Sequence, residues 1–96
     1  MNAQDVLVKL RELKPIITGR YKVKELSLFG SFVRGEQGTS SDIDLLAEFE
    51  DNADLFDLMG LGLYLEEIFQ RPVDVVPKRA LRAELRESVL HQVITV

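Results

Sequence analysis

Leu28-Phe29-Gly30-Ser31-Phe32-Val33-Arg34-Gly35, running on through Ser41-Asp42-Ile43-Asp44-Leu45, is the stretch whose reading decides the fold. It reads as the end of a buried strand, a glycine–serine turn, a short basic helical turn, a polar loop over Glu36 to Ser41, and a second strand that carries two carboxylates. Glycine lets a backbone approach a ligand closely, and the start of a helix offers backbone N–H groups to an anion. The turn therefore reads as a phosphate cradle, with Gly30, Ser31 and Arg34 as candidate phosphate-binding residues. Alternate side chains of a strand share a face, so Asp42 and Asp44 point the same way, about 7 Å apart along the chain.

Outward from this stretch, the first strand spans Val23 to Phe29 and the second Ile43 to Phe49, with Ile43, Leu45 and Ala47 turned to the core. Val6, Leu7, Leu10, Leu13 and Ile17 repeat at helical spacing and predict a helix from Ala3 to Thr18, kinked or restarted at Pro15 and stopped at Gly19. Asp54 is a fitting N-cap for a helix from Leu55 to Phe69, with Leu55, Leu58, Leu61, Leu65 and Ile68 on one core-facing side. Gly60 and Gly62 weaken that helix by about 1 kcal/mol each relative to alanine, and read as allowing close packing on the sheet. Arg71-Pro72 ends it. Val73 to Val76 is a third strand whose one polar member is Asp74. Lys78 to His91 reads as one or two helical pieces, and Val93 to Val96 as an edge strand or tail. The helix between the second and third strands calls for a crossover connection, and the short piece between the first and second suits an antiparallel return. The fold class is α/β (α+β), a small mixed sheet of three to four strands flanked by helices in one domain over residues 1–96.

Asp74 ties the reading together. A lone carboxylate among valines is costly to desolvate. If the second and third strands are neighbours, Asp42, Asp44 and Asp74 converge, and three carboxylates in one place call for a cation. An all-oxygen donor set favours Mg2+, with Mn2+ also suitable, over zinc. Phosphate cradle and metal site together point to a nucleoside triphosphate and in-line attack on phosphorus, for which two metal ions are the usual clamp.

The bulk numbers bound this. Ninety-six residues with 46% hydrophobic and 29% charged content make one folded domain. A net charge of −4 argues against sequence-independent nucleic-acid binding. The absence of cysteine excludes a disulfide framework and fits the cytoplasm. No signal peptide or membrane span is expected.

Gly30-Ser31-x-x-Arg34-Gly35, Ser41-Asp42-x-Asp44-Leu45 and Val73-Asp74-Val75-Val76 together resemble the minimal nucleotidyltransferases, the smallest members of the DNA polymerase β-like nucleotidyltransferase superfamily. The likeness covers nearly the whole chain, with Val33 standing where the family often has alanine. It implies magnesium-dependent transfer of a nucleoside monophosphate. Asp42, Asp44 and Asp74 would be the catalytic and metal-holding residues, with Asp74 also helping to deprotonate the attacking hydroxyl. Gly30 and Ser31 would hold the β- and γ-phosphates. Many members of the family are encoded beside a small all-helical HEPN-type protein and act as its antitoxin by transferring AMP from ATP to a tyrosine. ATP and such a helical protein are the partners implied; the choice of adenine rests on the resemblance.

Each residue also has a plainer reading. Asp42 can cap a turn, Ser31 can cap the short helix, Arg34 can brace the loop through a salt bridge, and Lys78, Arg79, Arg82 and Arg86 can be a solvated helix face. Two further functions stand beside the enzyme: a nucleotide- and metal-binding module that neutralises a helical partner by stoichiometric contact, and transfer to a small molecule or RNA. Oligomerisation stays open.

Overall fold

The computed structural model describes residues 1–35 and 42–96. The polar loop expected over 36–41 lies outside the described residues. In chain order the elements are α1 (Ala3–Tyr21), β1 (Val23–Phe29), α2 (Ser31–Arg34), β2 (Ile43–Phe49), α3 (Leu55–Phe69), β3 (Val73–Pro77), a 3-10 turn (Lys78–Ala80), α4 (Ala83–Leu90) and β4 (Ile94–Thr95). The four strands form one sheet in the order β3-β2-β1-β4. β1 pairs antiparallel with β2 and with β4, and β2 pairs parallel with β3. The short α2 return and the α3 crossover thus produce the two pairings that their lengths allow.

β2 sits inside the sheet and divides its two faces. Ile43, Leu45 and Ala47 are fully buried in one cluster with Val6, Leu10 and Ile17 of α1 and Leu61 and Leu65 of α3. Asp44, Leu46 and Glu48 take the opposite face by strand alternation. Leu46 is buried yet stands outside that cluster, as a residue on the second face must. One face of the sheet is therefore closed by α1 and α3, and the other carries the carboxylates.

Three expectations are corrected. First, α1 runs unbroken through Pro15 and Gly19 to Tyr21, and Lys22 ends it with φ 59°. Pro15 is exposed, so the Arg11 carbonyl that it leaves without a donor faces water. Extending the helix buries Tyr21, whose ring lies 5.5 Å from that of Tyr64 and packs against Gly60 of α3. Second, Leu55 is 65% exposed and does not share the core-facing side; Leu61, Leu65 and Phe69 do, with Leu58 and Ile68 half-buried. Third, the α3 glycines do not serve the sheet. A Cβ on Gly60 would lie 3.0 Å from the Tyr21 ring, and one on Gly62 would meet nothing among the described residues.

Candidate active site

The site is built at the end of the sheet where β1 stops and the parallel pair begins. β1 ends at Phe29, which pairs with Asp44, and Asp44 pairs with Asp74 across the parallel ladder. Neighbouring strands are about 4.8 Å apart, so the two aspartates stand side by side on one face. Asp42 immediately precedes β2 and is exposed; Asp44 is half-buried and Asp74 exposed.

Gly30 joins the turn to the carboxylates. Its φ of 79° and ψ of −149° place it in a conformation that side chains rarely adopt. A Cβ there would overlap the Asp44 Oδ2 and lie 3.0 Å from the Asp44 Cγ. Gly30 is therefore required twice, for its backbone angles and for the carboxylate laid directly against it. α2 starts at once: Val33 and Arg34 N–H groups donate to the Gly30 carbonyl at 3.1 and 3.2 Å. The preceding N–H groups of Ser31 and Phe32 belong to the first turn, which has no carbonyl one turn back. Phe32 is buried and anchors α2 in the core, and Gly35 ends it with φ 72°.

The electrostatics report how close the charges lie. The Asp44 carboxyl is raised above its ordinary value, chiefly by burial, then by the negative charges of Asp74 and Asp42, with Arg34 opposing. All three aspartates and Arg34 thus act on one point. A hard divalent cation fits this donor set, which is all oxygen, and would relieve the repulsion that raises Asp44. Yet among the described residues no three acidic, histidine or cysteine side chains are gathered into a group that could hold a metal alone. Asp44 and Asp74 stand side by side across the parallel pair, and Asp42, exposed just before β2, acts on Asp44 from the same end of the sheet. Like charges repel, and magnesium sites of this kind complete their shell with water and substrate phosphate, so a preformed cage is not needed.

One residue that motif reading passed over stands nearby. The Arg71 guanidinium lies over the ring of Phe32, 5.5 Å from its centroid. The Ile43 N–H donates to the Pro72 carbonyl at 3.0 Å, which ties the turn before β3 to the start of β2. A basic residue in the turn that leads into the third carboxylate was the available signal. Tyr21 and Tyr64 are packing partners, and His91 is exposed beside Glu87.

The fold and its paired carboxylates beside a Gly-Ser turn define the nucleotidyltransferase class. The nucleotidyltransferase domain family matches residues 10–95, and the chain belongs to it. It is 35% identical over 97 residues to the protein adenylyltransferase MntA of Thermococcus cleftensis, an alignment that covers 94% of this chain and 98% of that one. The fold matches a solved structure assigned as a minimal nucleotidyltransferase with a TM-score of 0.86 at 33% identity, over 100% of this chain and 97% of the other. A crystal structure of a toxin–antitoxin with AMP-PNP contains a chain similar to this one at a TM-score of 0.70 and 27% identity, covering 99% and 72%. A complex of a tri-AMPylated Shewanella oneidensis HEPN toxin with its MNT antitoxin gives 0.61 and 27%, covering 91% and 69%. The chain is thus an enzyme of the nucleotidyltransferase type. Among the described residues no helix is long and apolar enough to cross a membrane.

Proposed function

We propose that this chain transfers AMP from ATP to a tyrosine hydroxyl of a small helical HEPN-type protein and so acts as its antitoxin, in the cytoplasm. The observation that carries the reading is the contact of Gly30 with Asp44, which sets a phosphate-holding turn directly against a carboxylate paired with a second one. The relatives add to it: one is named a protein adenylyltransferase, and one solved complex holds an AMPylated HEPN toxin.

In the reaction proposed, the acceptor oxygen attacks the α-phosphorus of ATP. A new oxygen–phosphorus bond forms as the bond from that phosphorus to the bridging oxygen breaks, and pyrophosphate leaves along the Gly30–Ser31 turn. The proton of the attacking hydroxyl passes to the Asp74 carboxylate, which stands exposed beside Asp44. Ser31 and Arg34 hold and neutralise the phosphate tail. Asp42, Asp44 and Asp74 would hold Mg2+, which when bound supplies charge neutralisation on the phosphates and lowers the barrier to in-line attack.

The alternative is a binding module that keeps the metal and nucleotide site but neutralises by contact. The two separate in a growth assay in which a HEPN-type toxin is expressed with the wild type or with Asp44→Asn. The transferase reading expects rescue by the wild type alone. Equal rescue by both would favour stoichiometric binding.

A further inference from the structure

Four residues beyond Asp44 and Asp74, at the far ends of the same parallel strands, lies a groove of about 440 Å³ that the nucleotide chemistry does not use. Glu48, Glu50 and Asp51 line one side, where β2 runs into the turn before α3. Lys78, Arg79 and Arg86 line the other, from the 3-10 turn and α4. Among the described residues none of these six side chains makes a hydrogen bond or an ion pair, although opposite charges share one groove. Glu50, Asp51, Arg79 and Arg86 are exposed, and Glu48 and Lys78 half-buried.

We propose that this groove seats the acceptor polypeptide, through an extended segment that carries one basic and one acidic side chain about four residues from the modified tyrosine. The inference rests on the transferase reading above. The spacing follows from the strands: Glu48 shares the sheet face of Asp44 and lies roughly 13 Å from it along β2, a span that about four extended residues of a bound chain cover. The pairing of walls selects the ligand class. A polyphosphate backbone would be attracted by Lys78, Arg79 and Arg86 but repelled by Glu48, Glu50 and Asp51. A polypeptide with both signs satisfies both walls. The volume lies in the range of sites that hold a few side chains. Lys78, Arg79 and Arg86 thereby gain a function as one half of a two-signed seat, which Arg82 does not line.

The test uses two short fluorescein-labelled peptides of identical composition, each with one tyrosine. One carries a Lys-Glu pair four residues from the tyrosine and the other carries it next to the tyrosine. Anisotropy on the full chain should show the first binding more tightly, with its affinity falling at least about tenfold on combined Arg79→Glu and Arg86→Glu. Amide NMR shifts on the wild type should centre on residues 47–51 and 77–79. Both substituted side chains are exposed, so the variant should melt as the wild type does. Equal affinity for the two peptides, no binding of either, shifts confined elsewhere, or a single-stranded oligonucleotide displacing the peptide at lower concentration would each overturn the seat. Mg2+-dependent ATP binding to the wild type is measured alongside. Its presence with no peptide effect would remove the groove and leave the transferase reading intact. Its absence would sink the transferase reading, and with it the groove as an acceptor seat.

Discussion

Gly30 shows what a single residue decides. Its backbone sits where L side chains are strained, and the space where a Cβ would go is filled by the Asp44 carboxylate. Gly30→Ala should therefore lower stability by more than about 1 kcal/mol and also abolish nucleotidyl transfer by pushing Asp44 out of place. Gly35 provides a comparison: its φ of 72° with ψ of 20° is ordinary left-handed backbone, a milder demand than that at Gly30, and among the described residues a Cβ there meets nothing. Gly35→Ala should cost stability in thermal melts yet retain ATP binding once temperature is lowered; equal loss of binding in both variants would show that backbone strain alone is responsible. The need for glycine before serine was legible in the sequence as a turn signal. The contact with Asp44 was not, because the antiparallel register that pairs Phe29 with Asp44 is a tertiary fact.

At the scale of elements, helix α3 separates two uses of one residue type. Among the described residues a Cβ on Gly62 meets nothing, so Gly62→Ala should stabilise the fold by up to about 1 kcal/mol. Gly60→Ala meets the Tyr21 ring at 3.0 Å and should give a smaller gain or a loss. Urea unfolding of the pair distinguishes them, and equal gains would contradict the packing of α1 on α3. The N-terminus of α3 is fixed by a reciprocal cap. The Asp57 N–H donates to the Asp54 Oδ1 at 3.1 Å, and the Asp54 N–H to the Asp57 Oδ2 at 2.9 Å. The Asp57 carboxyl is held below its ordinary value, first by the Asp54 backbone N–H and further by Lys22, whose Nζ is 3.5 Å away. A carboxyl lowered on folding contributes stability that is present above its unfolded value and is lost as pH falls through the folded one. Asp57→Asn should then weaken the protein at neutral pH and flatten its acid unfolding limb; an unchanged limb would contradict the pairing. Sequence gave Asp54 as the cap because helix starts have a local grammar. It misjudged the end of α1, because Tyr21 gains its burial only from a helix nearly forty residues further on.

Across the whole molecule, the sheet separates stability from chemistry. α1 and α3 close one face, the other carries Asp44 and Asp74, and the two-signed groove lies at the far ends of β2 and β3. The strand bounds and the pairing directions were readable in advance, since alternation and connection length constrain them. The order β3-β2-β1-β4 and the side-by-side stance of Asp44 and Asp74 needed the register, which no local pattern encodes. The central claim, that this arrangement moves AMP, is tested most directly with ATP labelled either at the α- or at the γ-phosphate, Mg2+, and the purified HEPN-type protein. The α-label should appear on that protein with the wild type and the γ-label should not. Asp44→Asn should transfer neither while melting no lower at neutral pH, because the carboxylate it removes is one whose ionised form the fold disfavours. Transfer of the γ-label, or α-label transfer by the Asp44→Asn variant at the wild-type rate, would contradict it.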